Sequence, residues 1–296
     1  MVRPLLQERP MSLTPDMTRR AATAGLLFTG YAGAALAREA HPIVTPGDGL
    51  VTETVMLSPA DGFDLPAYVA RPAGDGPFPV VIVASEIFGV HAYIMDVCRR
   101  LAKQGYAAVA PAFFNRVEDP ARVQDMSRIM QIVGAAGYEQ VMGDVSAALD
   151  WSSQQLWARD DRMGITGWCW GGKVVWQACA RFAALKAGVA WYGRLAPAAD
   201  ASEAQIAAGQ PWPVNLAEDL KAPVLGLYGG ADTGIPLTSV ETMRQALQRA
   251  GQTESRIQVY DGAPHGFHAD YRDSYTPAAA TDAWGKAVAF FDGKLK

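Results

Sequence analysis

Gly167-Trp168-Cys169-Trp170-Gly171 joins Arg162–Gly167, which reads as a short strand, to Gly171–Arg181, which reads as a helix. A strand that runs straight into a helix leaves one residue to make the reversal. Glycines two before and two after that residue leave space for a strained turn, and Gly172 lets the helix pack close to its neighbours. The Cys169 thiol then projects above the sheet at a helix N-terminus, where the helix dipole favours a thiolate. The alternative is a small apolar residue at a turn, since free cysteines are mostly buried and inert. Glycines on both sides favour the projecting thiol.

The rest of the chain repeats the strand-to-helix alternation. Val51–Leu57 and Phe63–Arg71 alternate like antiparallel strands and predict an N-terminal hairpin. Pro79–Ser85 is a continuous β-branched run of the kind buried on both faces of a sheet. Helix 92–104, strand Tyr106–Pro111, helix 138–155, strand 162–167, helix 172–184, strand Ala187–Tyr192, strand Ala222–Tyr228, helix 238–250, strand Ser255–Tyr260 and helix 278–292 follow. This order predicts an α/β fold with a mostly parallel central sheet and helices on both faces. Two stretches break the pattern: 114–134, with a helical run at Ala121–Val133, and 194–219, rich in Ala, Pro and Gly. Both follow strands, so they read as pocket walls or a partial lid; for 194–219 a plain surface insertion is an equal alternative.

With 296 residues, half of them apolar and 19% charged, the chain can bury one substantial core. A net charge of −4 without blocks of like charge excludes a nucleic-acid partner. The three cysteines, 98, 169 and 179, form no C-x-x-C pair, which argues against a disulfide framework or a metal site; Cys98 and Cys179 read as helix core. At the N-terminus, Arg19-Arg20 precedes a mildly apolar run ending in Ala35-Leu36-Ala37, the pattern of a twin-arginine export signal. The domain expectation is therefore a signal at 1–37, a linker at 38–50 and one catalytic domain at 51–296, periplasmic if the signal is real and cytoplasmic if not. The run falls short of the roughly 20 residues of a membrane span, and a monomer is expected.

A cysteine nucleophile needs a base and an acid to orient it. Gly229-Gly-Ala-Asp232 and Tyr260-Asp-Gly-Ala-Pro-His265 each follow a strand at the same sheet edge as Cys169. Among the four histidines, His265 lies nearest a strand end; His268 lies further on, His91 precedes a helix and His41 lies in the linker. Asp232 competes with Asp261, which is only four residues from His265 and suits the turn leading to it. Glu86 directly follows the buried strand, in a position that favours a functional role over a surface ion pair.

Four pieces in this order, Glu86-Ile87-Phe88-Gly89-Val90, Gly167-Trp-Cys169-Trp-Gly-Gly172, Gly230-Ala-Asp232 and Pro264-His265-Gly-Phe-His268, resemble the dienelactone hydrolase family (carboxymethylenebutenolidases) of the α/β-hydrolase fold, over about residues 51–293. The resemblance implies a Cys169, His265 and Asp232 triad with Glu86 contacting the thiol and helping to ionise it when substrate binds. It implies an oxyanion hole from the backbone N–H groups of Ile87 and Trp170, no cofactor, and a thioester intermediate formed on a small carboxylated lactone or ester. By the same match Arg116 holds the substrate carboxylate. Arg272 is a second candidate with a solvated arginine as its alternative, and Phe88, Trp170, Tyr192 and Phe267 supply apolar walls. A broader carboxylesterase acting on uncharged esters, or a binding protein with an idle pocket, are the other readings.

Overall fold

The computed structural model of the chain describes residues 42–296, so the expected export segment and His41 lie outside the described residues. Within them one sheet is built from β1 (Leu50–Leu57), β2 (Leu65–Pro72), β3 (Phe78–Ala84), β4 (Ala107–Pro111), β5 (Ala158–Trp168), β6 (Leu185–Trp191), β7 (Val224–Gly229) and β8 (Arg256–Tyr260). Their order is β1-β2-β4-β3-β5-β6-β7-β8. β1 and β2 form the expected antiparallel hairpin, in register from Leu50 opposite Pro72 to Leu57 opposite Leu65, and β2 runs antiparallel to β4. Every other neighbouring pair is parallel.

The helices are α1 (Ala92–Lys103), α2 (Met126–Ala135), α3 (Tyr138–Ser153), α4 (Trp170–Arg181), α5 (Glu203–Ala208), α6 (Leu237–Arg249) and α7 (Pro277–Leu295). They cover both faces of the sheet. A Cβ at Gly164 of β5 would lie 2.9 Å from Leu295 and 3.0 Å from Phe291, both on α7. A Cβ at Gly188, the β6 partner of the next residue Ile165, would lie 2.6 Å from Cys179 and 2.8 Å from Val175 of α4. Successive strand residues point to opposite faces, so α7 and α4 sandwich the sheet. That is why Val80 to Ala84 of β3, a run without polar alternation, are all 0% exposed.

Two expected boundaries change. The helical run at Ala121–Val133 splits into a 3-10 turn, Pro120–Arg122, and α2, because Asp119 accepts from the Ala121 N–H and Asp125 from the Ser127 N–H. The helix expected at 172–184 starts at Trp170, directly after Cys169, and stops at Arg181, where Phe182 turns extended to feed β6.

The topology chooses where a ligand can enter. The crossover from β3 through α1 leads to β4 on one side of β3, whereas the crossover from β5 through α4 leads to β6 on the other. β3 and β5 are neighbours, so a crevice opens between their carboxyl ends. Glu86 follows β3 and Cys169 follows β5.

Candidate active site

Cys169 has φ 55° and ψ −113°, a conformation that L-residues seldom adopt; such strain costs on the order of 1–3 kcal/mol and persists only where its surroundings enforce it. Here close backbone packing does so. The Cys169 N–H donates to the Trp191 carbonyl at 2.9 Å. A Cβ at Gly171 would lie 2.1 Å from the Ala84 carbonyl oxygen, and one at Gly167 would lie 2.4 Å from that of Gly171. Gly171 is therefore required by close approach of the β3 end to the turn, and Gly167 by close approach of the turn's own Gly171 backbone. Cys169 is half-buried, while Cys98 and Cys179 are buried, and burial pushes both of those thiols far up, out of reach of ionisation.

The acid loop after β7 and the histidine loop after β8 converge on that thiol. Asp232 is 5% exposed; its Oδ1 accepts from the N–H groups of Gly234 (2.8 Å) and Ile235 (3.1 Å). Those bonds aim Oδ2 at His265 Nδ1, 2.7 Å away. With Nδ1–H donating to Asp232, the other ring nitrogen is left for the sulfur. Burial alone would push the imidazolium down, but its hydrogen bonds to Asp232 and to the Cys169 sulfur and the charges of both hold His265 up, at about 10. His268, by contrast, is a core residue. It is 3% exposed, its Nδ1 meets the Tyr93 hydroxyl at 2.6 Å, and burial holds it neutral. Asp261 is exposed, and the partner of His265 is Asp232.

Glu86 is 3% exposed, but its hydrogen bonds run to His91 and Tyr271. Oε1 meets His91 Nε2 at 3.2 Å and accepts from the Tyr271 hydroxyl. Burial would raise this carboxyl; His91, Tyr271 and the charge of Arg272 outweigh it and keep Glu86 below the usual range for a glutamate. His91, expected only to precede a helix, is thus the buried neighbour of this carboxylate. Sequence spacing gives a hint of that pairing, five residues apart, but none of Tyr271, which is 185 residues from Glu86. The N–H groups of Ile87 and Trp170 donate to no acceptor among the described residues, and both residues line the cavity beside Cys169.

That cavity measures about 680 Å³ and also contains Tyr192, Asp232 and His265. Neither expected carboxylate-binding arginine lines it. Arg116 grips Asp144 through both terminal nitrogens, at 2.9 and 2.7 Å, and Asp61 through Nε at 2.7 Å. Asp144 is 0% exposed, and removing one partner of a buried ion pair is strongly destabilising, so the geometry gives Arg116 a structural task. Arg272 lies over the Phe88 ring, 5.7 Å from its centroid. Phe88 and Phe267 are core residues behind the site, at 3% and 0% exposure, whereas Trp170 and Tyr192 do form cavity wall. The irregular stretches contribute walls too: Met130 comes from α2, and Arg194 and Trp212 come from 194–219. Lys173 completes that side. It is on the first turn of α4, where its N–H donates to the Cys169 carbonyl at 3.4 Å. Among the described residues no group of three or more His, Cys, Asp or Glu is arranged to hold a metal ion, and no helix is long and apolar enough to cross a membrane.

The model of the dienelactone hydrolase family matches residues 65–295. The chain belongs to the dienelactone hydrolase family. It is a hydrolase of the ester- and lactone-cleaving kind, with the α/β-hydrolase fold. Relatives include a "putative carboxymethylenebutenolidase" of Methylorubrum extorquens, 43% identical over 285 residues that cover 96% of this chain and 95% of that one. A protein of the same name from Escherichia coli K12 is 43% identical over 265 residues, covering 89% and 94%. Among solved structures, a "putative dienelactone hydrolase" from Klebsiella pneumoniae is 42% identical with a TM-score of 0.76, covering 83% of this dienelactone hydrolase family member and 99% of its own chain.

Proposed function

We propose that the enzyme opens a small lactone or ester with Cys169 as nucleophile, through a thioester. The observation that carries this reading is the alignment of Asp232 Oδ2, 2.7 Å from His265 Nδ1, with His265 beside the cysteine held at φ 55° in the same cavity. The thiolate attacks the carbonyl carbon, and the ring or ester C–O bond breaks. The His265 imidazolium, kept protonated by Asp232, gives its proton to the leaving oxygen. Water then adds to the thioester, His265 takes its proton, and the acid is released as the thiolate re-forms. Negative charge on the carbonyl oxygen meets the unengaged N–H groups of Ile87 and Trp170 in both steps. Acid-quenched mass spectrometry during turnover of a p-nitrophenyl ester is expected to find the acyl group on the Cys169 peptide. An acyl group elsewhere, or none during a measured burst, sinks the reading.

Glu86 enters the same reading as the base that helps ionise the thiol when substrate arrives. Its carboxylate is ionised, and the bonds from His91 and Tyr271 converge on Oε1. Glu86→Gln keeps the size and an acceptor oxygen and loses the base. We expect kcat/KM to fall by about 10²-fold with little change in Tm; wild-type kinetics in this variant reduce Glu86 to a structural residue.

Export through Arg19-Arg20 belongs to the proposal as well. Protein recovered from the periplasm is expected to begin close to Arg38. Intact Met1 on cytoplasmic protein refutes it.

A further inference from the structure

Among the described residues two other than glycine have positive φ, Cys169 at 55° and Tyr192 at 37°, and they stand side by side. Trp168 of β5 pairs with Trp191 of β6 in parallel register, so Cys169 and Tyr192 are the first residues past the ends of neighbouring strands. Such strands lie about 4.8 Å apart. The two turns are also bonded to each other, because the Trp191 carbonyl, immediately before Tyr192, accepts from the Cys169 N–H. Close backbone packing fixes the second turn as it does the first. The Tyr192 N–H donates to the Leu227 carbonyl at 2.8 Å, and a Cβ at Gly193 would lie 2.3 Å from the Gly172 carbonyl carbon and from the Lys173 nitrogen.

Backbone strain that the surroundings enforce in this way clusters at functional sites, and the side chain it places here is unusual in a second respect. The Tyr192 ring lines the cavity and is held edge-on against His265, with centroids 5.1 Å apart, and against Phe267 at 5.4 Å. The residue is 2% exposed, yet its hydroxyl has no hydrogen-bond partner among the described residues. Buried tyrosines ordinarily find an acceptor, and a hydroxyl buried without one destabilises the fold. Burial and negative charge at Glu86, Tyr271 and Cys169 hold this phenol well above its usual range, with Arg272 opposing them. The hydroxyl therefore keeps its proton and stands as a donor beside groups that carry or acquire negative charge. Glu86 Oε1 is already engaged by His91 and Tyr271, which leaves the cysteine.

We propose that Tyr192 is a catalytic residue whose hydroxyl donates a hydrogen bond to the Cys169 sulfur once that sulfur is ionised. The inference rests on the reading of Cys169 as the nucleophile, and it gives chemistry to a side chain expected only as apolar wall. When the thiol proton leaves for the base, Tyr192 keeps its own and donates to the charge left behind; a hydrogen bond to the ionised form favours that form. As the S–C bond forms, the charge passes to the carbonyl oxygen and the Tyr192 bond weakens. It re-forms when hydrolysis of the thioester returns the thiolate. A neutral thiol is only a weak acceptor, so in the resting protein the hydroxyl waits without a partner. Stability is given up there for a donor set in place before the charge develops.

The test is Tyr192→Phe, which removes the oxygen and keeps the ring against His265 and Phe267. Iodoacetamide reacts with the thiolate and not the thiol, so peptide mass spectrometry of Cys169 labelling across pH reads the ionisation of this sulfur without turnover. In the variant the pH of half-maximal labelling rate is expected to rise by about one to two units. The value of kcat/KM for p-nitrophenyl butyrate is expected to fall about tenfold to a hundredfold, mainly in kcat, the range for losing a hydrogen bond to a charged group. Tm is expected to equal or exceed that of wild type, since a buried donor without a partner has gone. A labelling profile within about 0.3 of a pH unit of wild type, a twofold change in ionisation, overturns the proposal even if activity falls, because the loss then comes from packing. A Tm below wild type overturns it too, since the hydroxyl then has a partner in the resting fold. If wild type cleaves no ester, the hydrolytic reading of Cys169 fails and the labelling profile decides the donor alone: an upward shift supports the bond to sulfur, and an unchanged profile overturns it.

Discussion

Cys169→Ala is expected to lower kcat/KM by at least about 10³-fold, the scale on which loss of a covalent nucleophile is felt, while leaving the protein folded. The side chain is half-buried and its sulfur is a small part of the core, so the cost of truncation falls on chemistry. Cys169→Ser is expected to retain only slight activity. A free thiol ionises near pH 8.5 and a nearby imidazole or carboxylate can take its proton, whereas a serine hydroxyl is far harder to deprotonate, and the pair with His265 is shaped for the thiol. Full activity of the alanine variant on the esters that wild type cleaves would remove the nucleophile from the mechanism. Circular dichroism and Tm distinguish lost chemistry from lost fold.

The second large effect concerns the pH dependence set by Asp232. In the folded protein the His265 imidazolium persists to about pH 10, so kcat/KM is expected to hold through neutral pH and fall as the pH rises through about 10, when the acid that protonates the leaving oxygen is lost. In Asp232→Asn, burial of His265 and the contributions of Cys169 remain, and the bond and charge of Asp232 go. The alkaline limb should therefore move down from about 10 toward the ordinary histidine value of about 6.5, and the rate at neutral pH should drop by about 10²- to 10⁴-fold. Stability follows the same linkage. A folded pKa above the unfolded one gives His265 a stabilising contribution that is complete below about pH 6.5 and disappears as pH rises through about 10. NMR titration of the His265 ring in wild type and Asp232→Asn checks both; identical titration curves would rule out Asp232 as the cause.

The parts of the site legible in the sequence are those whose information is local. The two glycines flank Cys169 because the end of β3 crowds Gly171 and the Gly171 backbone crowds Gly167, and that requirement is written within five consecutive residues. Asp232 and His265 each lie in the loop directly after a strand, so their positions follow from strand boundaries. Lys173 is a different case: it follows Cys169 by four residues, on the first turn of α4. A single lysine in a helix is ordinarily solvated, so its residue type alone does not mark it as cavity wall.

By itself the sequence determined the alternation of strands and helices, the antiparallel start, and the loops at one sheet edge that carry Cys169, Asp232 and His265. These depend on hydrophobic period and turn chemistry, which act over a few residues. Only the tertiary structure decided what each charged side chain pairs with. Arg116 follows a strand as a substrate-binding arginine would, yet Asp144, 28 residues on, folds beneath it and takes both terminal nitrogens. Glu86 lies in the expected loop, yet Tyr271 reaches it from the far end of the chain. An ion or a buried donor finds its partner by how elements pack. Packing brings together residues that no spacing along the chain relates.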